Sequence, residues 1–468
     1  MKRTLSISLT FTLLLTACHA PAPKPYGPVP SEAQLAWQRM EINMFCHFGP
    51  NTFTGAEWGS GKESEEVFAP MALDCRQWVD AARQAGMGGI ILTAKHHDGF
   101  CLWPSAHSSH TVPDSLDVLR QFVDACRKGG VKPGVYISPW DRNHPTYGTG
   151  AYNEVFVNTL KEVHTNYGPF FEQWFDGACG EGPNGKKQHY DWPRFMQAMH
   201  ELNPQCVIFS DIGPGCRWVG NEEGHCGEPC WSTLNTEGAT PSDNKPQPAE
   251  LETGHQGGSE WVPAEVDVSI RPGWFWHANE HPKTVDDLME IYFNSVGRNG
   301  LLLLNVPPDT RGRIPAEDSA VLVAFRAERD RIFSHDLAQG AKVRALSRLG
   351  HSAKNVLDTS YNTYWAATTN EPYITIELDT VREFDIIVIQ EYIPLGQRVT
   401  MVNLYGEEGD GMYPWTIPDD PLCTTVGYKR IIRHDNNGFW CTNKIKLHLY
   451  ADAPPVINRI ALYNSKAQ

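Results

Sequence analysis

Gly89-Ile90-Ile91-Leu92-Thr93-Ala94-Lys95-His96-His97-Asp98 is the stretch that decides the fold. An uncharged apolar run follows an amphipathic segment at 75–85, and polar side chains begin only where the run ends. A run of this kind between helices reads as a strand buried on both faces. The pattern recurs along the chain. Met44-Phe45-Cys46-His47 is a shorter copy. Helical segments at 116–128, 153–167 and 194–202 precede apolar runs at 134–138, 170–176 and 206–210. Beyond a long loop come 266–270 and, after a helix at 285–296, Leu301-Leu302-Leu303-Leu304-Asn305. Seven or eight such strands in about 300 residues predict an α/β fold, a (β/α)₈ TIM-like barrel, over an open doubly wound sheet. The first strand carries no glycine-rich phosphate fingerprint, which argues against nucleotide binding.

Around this core the chain divides into four parts. Residues 1–18, MKRTLSISLTFTLLLTAC, have a basic start and an apolar run too short to span a bilayer, the form of a removed export signal. Its Leu-Thr-Ala-Cys end resembles a bacterial lipobox and marks Cys18 for lipidation. The expected address is that of an exported lipoprotein of the periplasm or outer membrane, held to the membrane by the lipid alone. A proline-rich tether follows at 19–30. The barrel is assigned to 31–335. From 336 to 468, short Val, Ile, Thr and Tyr-rich runs with turn residues between them predict an all-β sandwich.

The 468 residues carry a net charge of −15, which disfavours a nucleic-acid partner because such surfaces need clustered positive charge. Aromatics reach 11% with 15 Trp, suited to a large core and equally to a sugar-binding cleft. The cysteines form no paired CxxC zinc pattern, and most read as buried thiols, with a local Cys226–Cys230 bridge left open.

His47, His96, His97, Asp98, Asp141, Asp176, Asp211, Arg271 and Asn305 all fall at or just beyond strand C-termini, the face on which barrel active sites are built. In Phe170-Phe171-Glu172-Gln173-Trp174-Phe175-Asp176-Gly177, large side chains end in a carboxylate and a glycine that lets the chain turn away. Asp176 can cap a helix or act as a nucleophile. A glycosidase needs a second carboxyl across the scissile bond. Glu222, Glu223, Glu228, Glu237, Glu252 and Glu260 lie in one long loop, and spacing does not choose among them. The His96-His97 pair lacks HxH or HExxH spacing, so no metal site is expected there and the histidines read as neutral partners for sugar hydroxyls.

Met44-Phe45-Cys46-His47-Phe48-Gly49, Glu57-Trp58, Ala94-Lys95-His96-His97-Asp98-Gly99-Phe100, Trp174-Phe175-Asp176-Gly177 and Leu303-Leu304-Asn305-Val306 resemble the α-L-fucosidases of glycoside hydrolase family 29. Ser138-Pro139-Trp140-Asp141-Arg142, Arg217-Trp218-Val219-Gly220-Asn221-Glu222, Ser269-Ile270-Arg271-Pro272-Gly273-Trp274-Phe275 and Gln390-Glu391-Tyr392-Ile393-Pro394-Leu395-Gly396-Gln397 resemble its subgroup acting on α1,3/1,4-linked fucose. The resemblance implies a retaining exo-α-L-fucosidase working on fucosylated oligosaccharides or glycoconjugates through a covalent glycosyl-enzyme intermediate. Asp176 would be the nucleophile and Glu222 the acid/base, with Glu223 next door. His47, Trp58, His96, His97 and Trp174 would line the fucose pocket, joined by Arg271 and Trp276. No cofactor is required. The C-terminal part resembles discoidin-like sandwiches, whose loop matching residues 357–365 sometimes holds a structural calcium ion. A catalytically inactive glycan-binding lipoprotein is the rival from another class, and a metal-dependent hydrolase a third.

Overall fold

The structure is a computed structural model that describes residues 22–409, 411–415, 424–434 and 438–467. The export signal, Cys18 and the first part of the tether lie outside the described residues.

Eight parallel strands close into a barrel in chain order: β1 Ile42–Cys46, β2 Gly89–Lys95, β3 Lys132–Ile137, β4 Glu172–Trp174, β5 Val207–Ser210, β6 Cys216–Trp218, β7 Ala264–Ser269 and β8 Leu301–Asn305. β8 pairs back onto β1, from Ile42 opposite Leu302 to Phe45 opposite Asn305. Within each apolar run successive side chains still point to opposite sides. Phe45, Ile91, Tyr136, Trp174, Phe209 and Leu303 pack together inside the barrel. Met44, Ile90, Leu92, Leu302 and Leu304 face the outer helices. The helices start where short polar side chains can bond free N–H groups. Asp74 caps Cys75–Gln84, Asp117 caps Val118–Gly129, Asp191 caps Trp192–Leu202, and Thr284 with Asp287 forms a capping box on Val285–Asn294.

Two details differ from the sequence reading. β4 is three residues long, so Phe170, Phe171, Phe175 and Asp176 lie outside it. β6 has no apolar run to announce it, because its three residues include the buried Arg217. Only residues 211–215 separate β5 from β6, and no helix covers that step among the described residues. Residues 219–263 then form the long loop before β7.

The C-terminal part is a sandwich of two antiparallel sheets. One is ordered β9 (Lys342–Arg344), β11 (Tyr373–Phe384), β16 (Trp440–Ala451), β13 (Val399–Glu408), β14 (Gly411–Pro414). The other is ordered β10 (Trp365–Ala366), β17 (Val456–Tyr463), β12 (Ile386–Glu391), β15 (Arg430–Arg433). The inner faces share one core that includes Ile374, Ile376, Ile387, Ile389, Leu447 and Ile460. The outer face of the four-stranded sheet is also apolar. Its Ile386, Val388, Ile431, Ala461 and Tyr463 belong to the same cluster as Leu288, Tyr292 and Phe325 of the barrel helices. Arg433 closes this contact with a two-pronged bond to Glu290 at 2.6 and 2.8 Å.

The described end of the tether is extended but not loose. Tyr26 N–H donates to the Leu395 carbonyl at 3.0 Å, Arg398 Nη2 donates to the Lys24 carbonyl at 2.7 Å, and Pro23 and Pro30 are buried. Residues 22–30 are a strap along the sandwich that hands the chain to the helix Glu32–Gln38.

Candidate active site

A cavity of about 170 Å³ opens among the strand C-termini and is lined by side chains from separate segments, among them His47, Trp58, His96, His97, Trp174, Asp176 and Glu222. Seven of the nine residues expected at the site therefore share one pocket. Asp98, Asp141 and Asp211 are strand-end residues that do not line it. Asp141 pairs with buried Lys95 at 3.1 Å, and Asp211 with Lys245 at 2.9 Å.

Asp176 is two residues past β4. Its Oδ1 accepts the Ala178 N–H at 2.7 Å and its Oδ2 the Tyr136 hydroxyl at 3.0 Å, with His97 Nε2 3.7 Å away. These donors fix the orientation of the side chain. Burial and the adjacent Asp176 hold the Tyr136 phenol far above its ordinary pKa, so it stays a donor. Gly177 is needed for close approach rather than for its turn. A Cβ there would meet Asp211 Oδ2 at 2.3 Å.

The three histidines are neutral. Burial pushes His47 down to about 3 and His97 to about 4, and lowers His96 as well. Asn305 uses its amide N–H groups on Ser269 Oγ (2.9 Å) and the Trp274 carbonyl (2.8 Å). Its Oδ1 therefore accepts from His47 Nδ1 at 2.9 Å. In a neutral ring that leaves His47 Nε2 as an acceptor for a hydroxyl. Trp174 stacks on Phe209 with ring centres 3.9 Å apart, and its Nε1–H donates to Glu265 Oε1 at 2.8 Å. Glu265 shares a dry niche inside the barrel with Glu172 and the Cys216 thiol. Burial raises both carboxyls, and one proton between them relieves the like charge. Trp58 is 61% exposed and stands at the mouth beside Trp140.

Glu222 comes from the long loop. Its Oε2 accepts Trp274 Nε1–H at 3.2 Å. Its pKa is raised, first by partial desolvation and then by the Asp176 and Glu57 carboxylates, while the indole bond lowers it in part. The pocket thus holds two carboxyls in contrasting settings, one bound by fixed donors and one biased toward its protonated form.

Besides Phe45 and Ala178, sequence reasoning left four lining residues unassigned. Glu57 is tied to His277 Nε2 at 2.6 Å and Trp274 N–H at 2.8 Å. Asp267 is buried near the end of β7, and desolvation followed by the Glu222 charge raises it well above the carboxylate range. Tyr136 lies inside an unbroken apolar run, where only the inward face of the barrel distinguishes it. Trp274 takes the place assigned to Trp276. Residues 271–275 are a series of bends without strand alternation, so counting by two from a strand fails there.

Arg271 also corrects the reading. Its side chain is 1% exposed and turned away from the pocket, toward Asp318 at 2.6 and 2.9 Å, Glu317 at 2.5 Å and the Glu280 carbonyl. It ties the 271–280 rim to the last barrel helix, Ala316–Ile332. Arg271→Leu strands Asp318, which is fully buried, and should cost about 3–5 kcal/mol in denaturant unfolding. A loss under about 1 kcal/mol would show that the pair holds nothing.

The loop matching the calcium-holding one is tied to β17 and to itself. In the 357–365 loop the Ser360 and Thr363 carbonyls accept Asn458 Nδ2–H at 2.9 and 2.6 Å, and Asp358 Oδ1 accepts Ser360 N–H.

The family profile described as Alpha-L-fucosidase matches residues 28–326. Alpha-L-fucosidase 1 of Arabidopsis thaliana is 41% identical over 464 residues, covering 95% of this chain and 89% of its own. The crystal structure of SpGH29 superposes with a TM-score of 0.88 at 34% identity, over 95% of this chain and 100% of that one. A Ruminococcus gnavus GH29 fucosidase in complex with fucose gives a TM-score of 0.86 at 31% identity, over 96% and 97%.

Proposed function

Because the chain belongs to the α-L-fucosidase family, glycoside hydrolase family 29, and is an α-L-fucosidase, we propose that it is a retaining exo-enzyme removing α1,3/1,4-linked L-fucose from branched oligosaccharides or glycoconjugates. Asp176 attacks the anomeric carbon while Glu222 gives its proton to the departing glycosidic oxygen. Glu222 then takes a proton from the water that releases fucose from Asp176. The observation that carries this reading is the pair itself. Asp176 and Glu222 line one cavity, Asp176 held by the Tyr136 hydroxyl and the Ala178 N–H and Glu222 raised toward its protonated form, a setting suited to nucleophile and acid roles.

His47, His96 and His97 bind ring hydroxyls as neutral partners, and Trp58, Trp174 and Trp274 cover the apolar face of the deoxy-sugar. No step calls for a cofactor. The protein is exported and anchored through Cys18, a reading supported by the form of its first 18 residues.

NMR of a Lewis-type branched trisaccharide during cleavage tests activity, linkage and stereochemistry together. L-Fucose should appear first as the α-anomer. A β-anomer released first would replace the double displacement with a single inversion, and cleavage of α1,2 linkages alone would remove the linkage assignment.

The pH profile tests the acid. kcat/KM should fall as pH rises through the Glu222 pKa, which lies above the ordinary carboxyl value. The Trp274 indole stabilises the Glu222 anion, so Trp274→Phe should move this basic limb to higher pH, while Trp276→Phe leaves it in place. An unmoved limb in Trp274→Phe would detach the limb from Glu222.

A further inference from the structure

The loop that carries Glu222 is fixed at its near end by one bond to the barrel and by its own later residues. Val219 N–H donates to the Glu265 carbonyl at 3.1 Å, and Asn221 Nδ2 to Glu252 Oε1 and the His225 carbonyl at 3.1 Å each. Gly220, at φ +99, presses so closely on Pro248 that a Cβ would meet its carbonyl oxygen at 2.4 Å. At Cys226 the chain is still held by the barrel, its N–H donating to the Asn294 carbonyl at 2.9 Å, and from Glu228 onward groups of the other domain join in.

Gln397, between β12 and β13, grips both sides of the chain: its Oε1 accepts Ser232 N–H at 2.7 Å and its Nε2 donates to the Cys230 carbonyl at 3.1 Å. Thr425 Oγ1 accepts Cys230 N–H at 3.0 Å and donates to the Cys230 carbonyl at 3.1 Å. Arg430 in β15 reaches Glu228 at 2.9 Å, opposite Arg298 of the barrel at the same distance. Gln397, Thr425, Arg430, Cys230 and Ser232 are all at most 4% exposed. Hydrogen bonds shielded from water in this way hold geometry more firmly than surface contacts.

We propose that the sandwich is a working part of the hydrolase, in which Gln397, Thr425 and Arg430 fix residues 228–232 and thereby help position Glu222 over the cavity. The proposal rests on the acid role given to Glu222 above. These three are positioning residues that act through the loop. Elsewhere the outer face of the four-stranded sheet lies on the barrel helices, and there Arg433 bonds Glu290 away from this loop. That contact is the control for a general loss of docking.

The test uses the full chain with Thr425→Val and Gln397→Leu, singly and together, and Arg433→Ala as the interface control. Hydrogen–deuterium exchange reports on the loop whatever residue is the acid. Exchange at residues 221–225 should rise at least fivefold in the double variant and stay within twofold in Arg433→Ala. Kinetics then report on catalysis. kcat for an oligosaccharide, with its poor leaving group, should fall tenfold or more, while an activated aryl fucoside, which needs little protonation to leave, changes under threefold in its bond-breaking step. Unchanged exchange at 221–225 overturns the clamp. Equal loss on both substrates, while Glu222→Ala keeps its selectivity, also overturns it, since that is what general loosening of the fold would give. Raised exchange without leaving-group selectivity, combined with a Glu222→Ala variant that lacks selectivity too, removes the acid assignment and leaves the clamp on the loop standing.

Discussion

Asp176→Ala should turn over fucosides at least about 10⁴-fold more slowly than the parent, on the scale seen when a covalent nucleophile is deleted. No neighbour can take over. Asp267 is held protonated by burial, and Glu57 is committed to His277 and the Trp274 N–H. The fold should survive, because the Tyr136 hydroxyl and Ala178 N–H lose their acceptor at a cavity that water can enter, a cost of about 1 kcal/mol. Thermal unfolding beside steady-state kinetics checks both halves. Unchanged aryl-fucoside hydrolysis by a folded Asp176→Ala would take this residue out of the mechanism.

Glu222→Ala is expected to lose about 10²–10⁴-fold with oligosaccharides, the usual contribution of a general acid. Activated aryl fucosides should still load Asp176 but then stall, since no base remains to activate water. Azide needs no base. It should restore turnover and give a fucosyl azide of α configuration, the sign of two successive inversions. Rescue at Glu57→Ala or Glu223→Ala instead would reassign the acid. Glu57 is the more serious rival because it lines the same cavity, whereas Glu223 lies on the exposed side with His225 at 3.4 Å.

The barrel was legible because its strands are buried on both faces, and an uninterrupted apolar run announces such a strand regardless of which side each residue takes. The same property hid Tyr136. Inside Gly134-Val135-Tyr136-Ile137-Ser138 no polar–apolar alternation marks the inward side chain, so a residue that bonds Asp176 looked like packing. β6 failed for the opposite reason: its central Arg217 is buried by bonds to the Leu251 and Val262 carbonyls, a solution available only once the long loop has folded over it. Asp176 and Glu222 were placed by their neighbours in sequence, but their meeting across some 45 positions belongs to the closed topology. Arg271 shows the limit of reading polarity at a strand end. A charged residue there can face the rim's own carboxylates as readily as a ligand, and only Asp318, 47 residues on, decides which.

With the chain anchored through Cys18 as proposed, the strap at residues 22–30 would set where mechanical load enters the molecule. Tension arriving along the leader would be borne first at Leu395 and Arg398, a turn of the sandwich, before it reached the first barrel helix. The backbone there is short of slack, since Gly396 sits so close to Tyr26 that a methyl group would collide with its carbonyl oxygen. A tug on the tether would therefore act first on this peripheral seam, ahead of the helix that leads into the barrel.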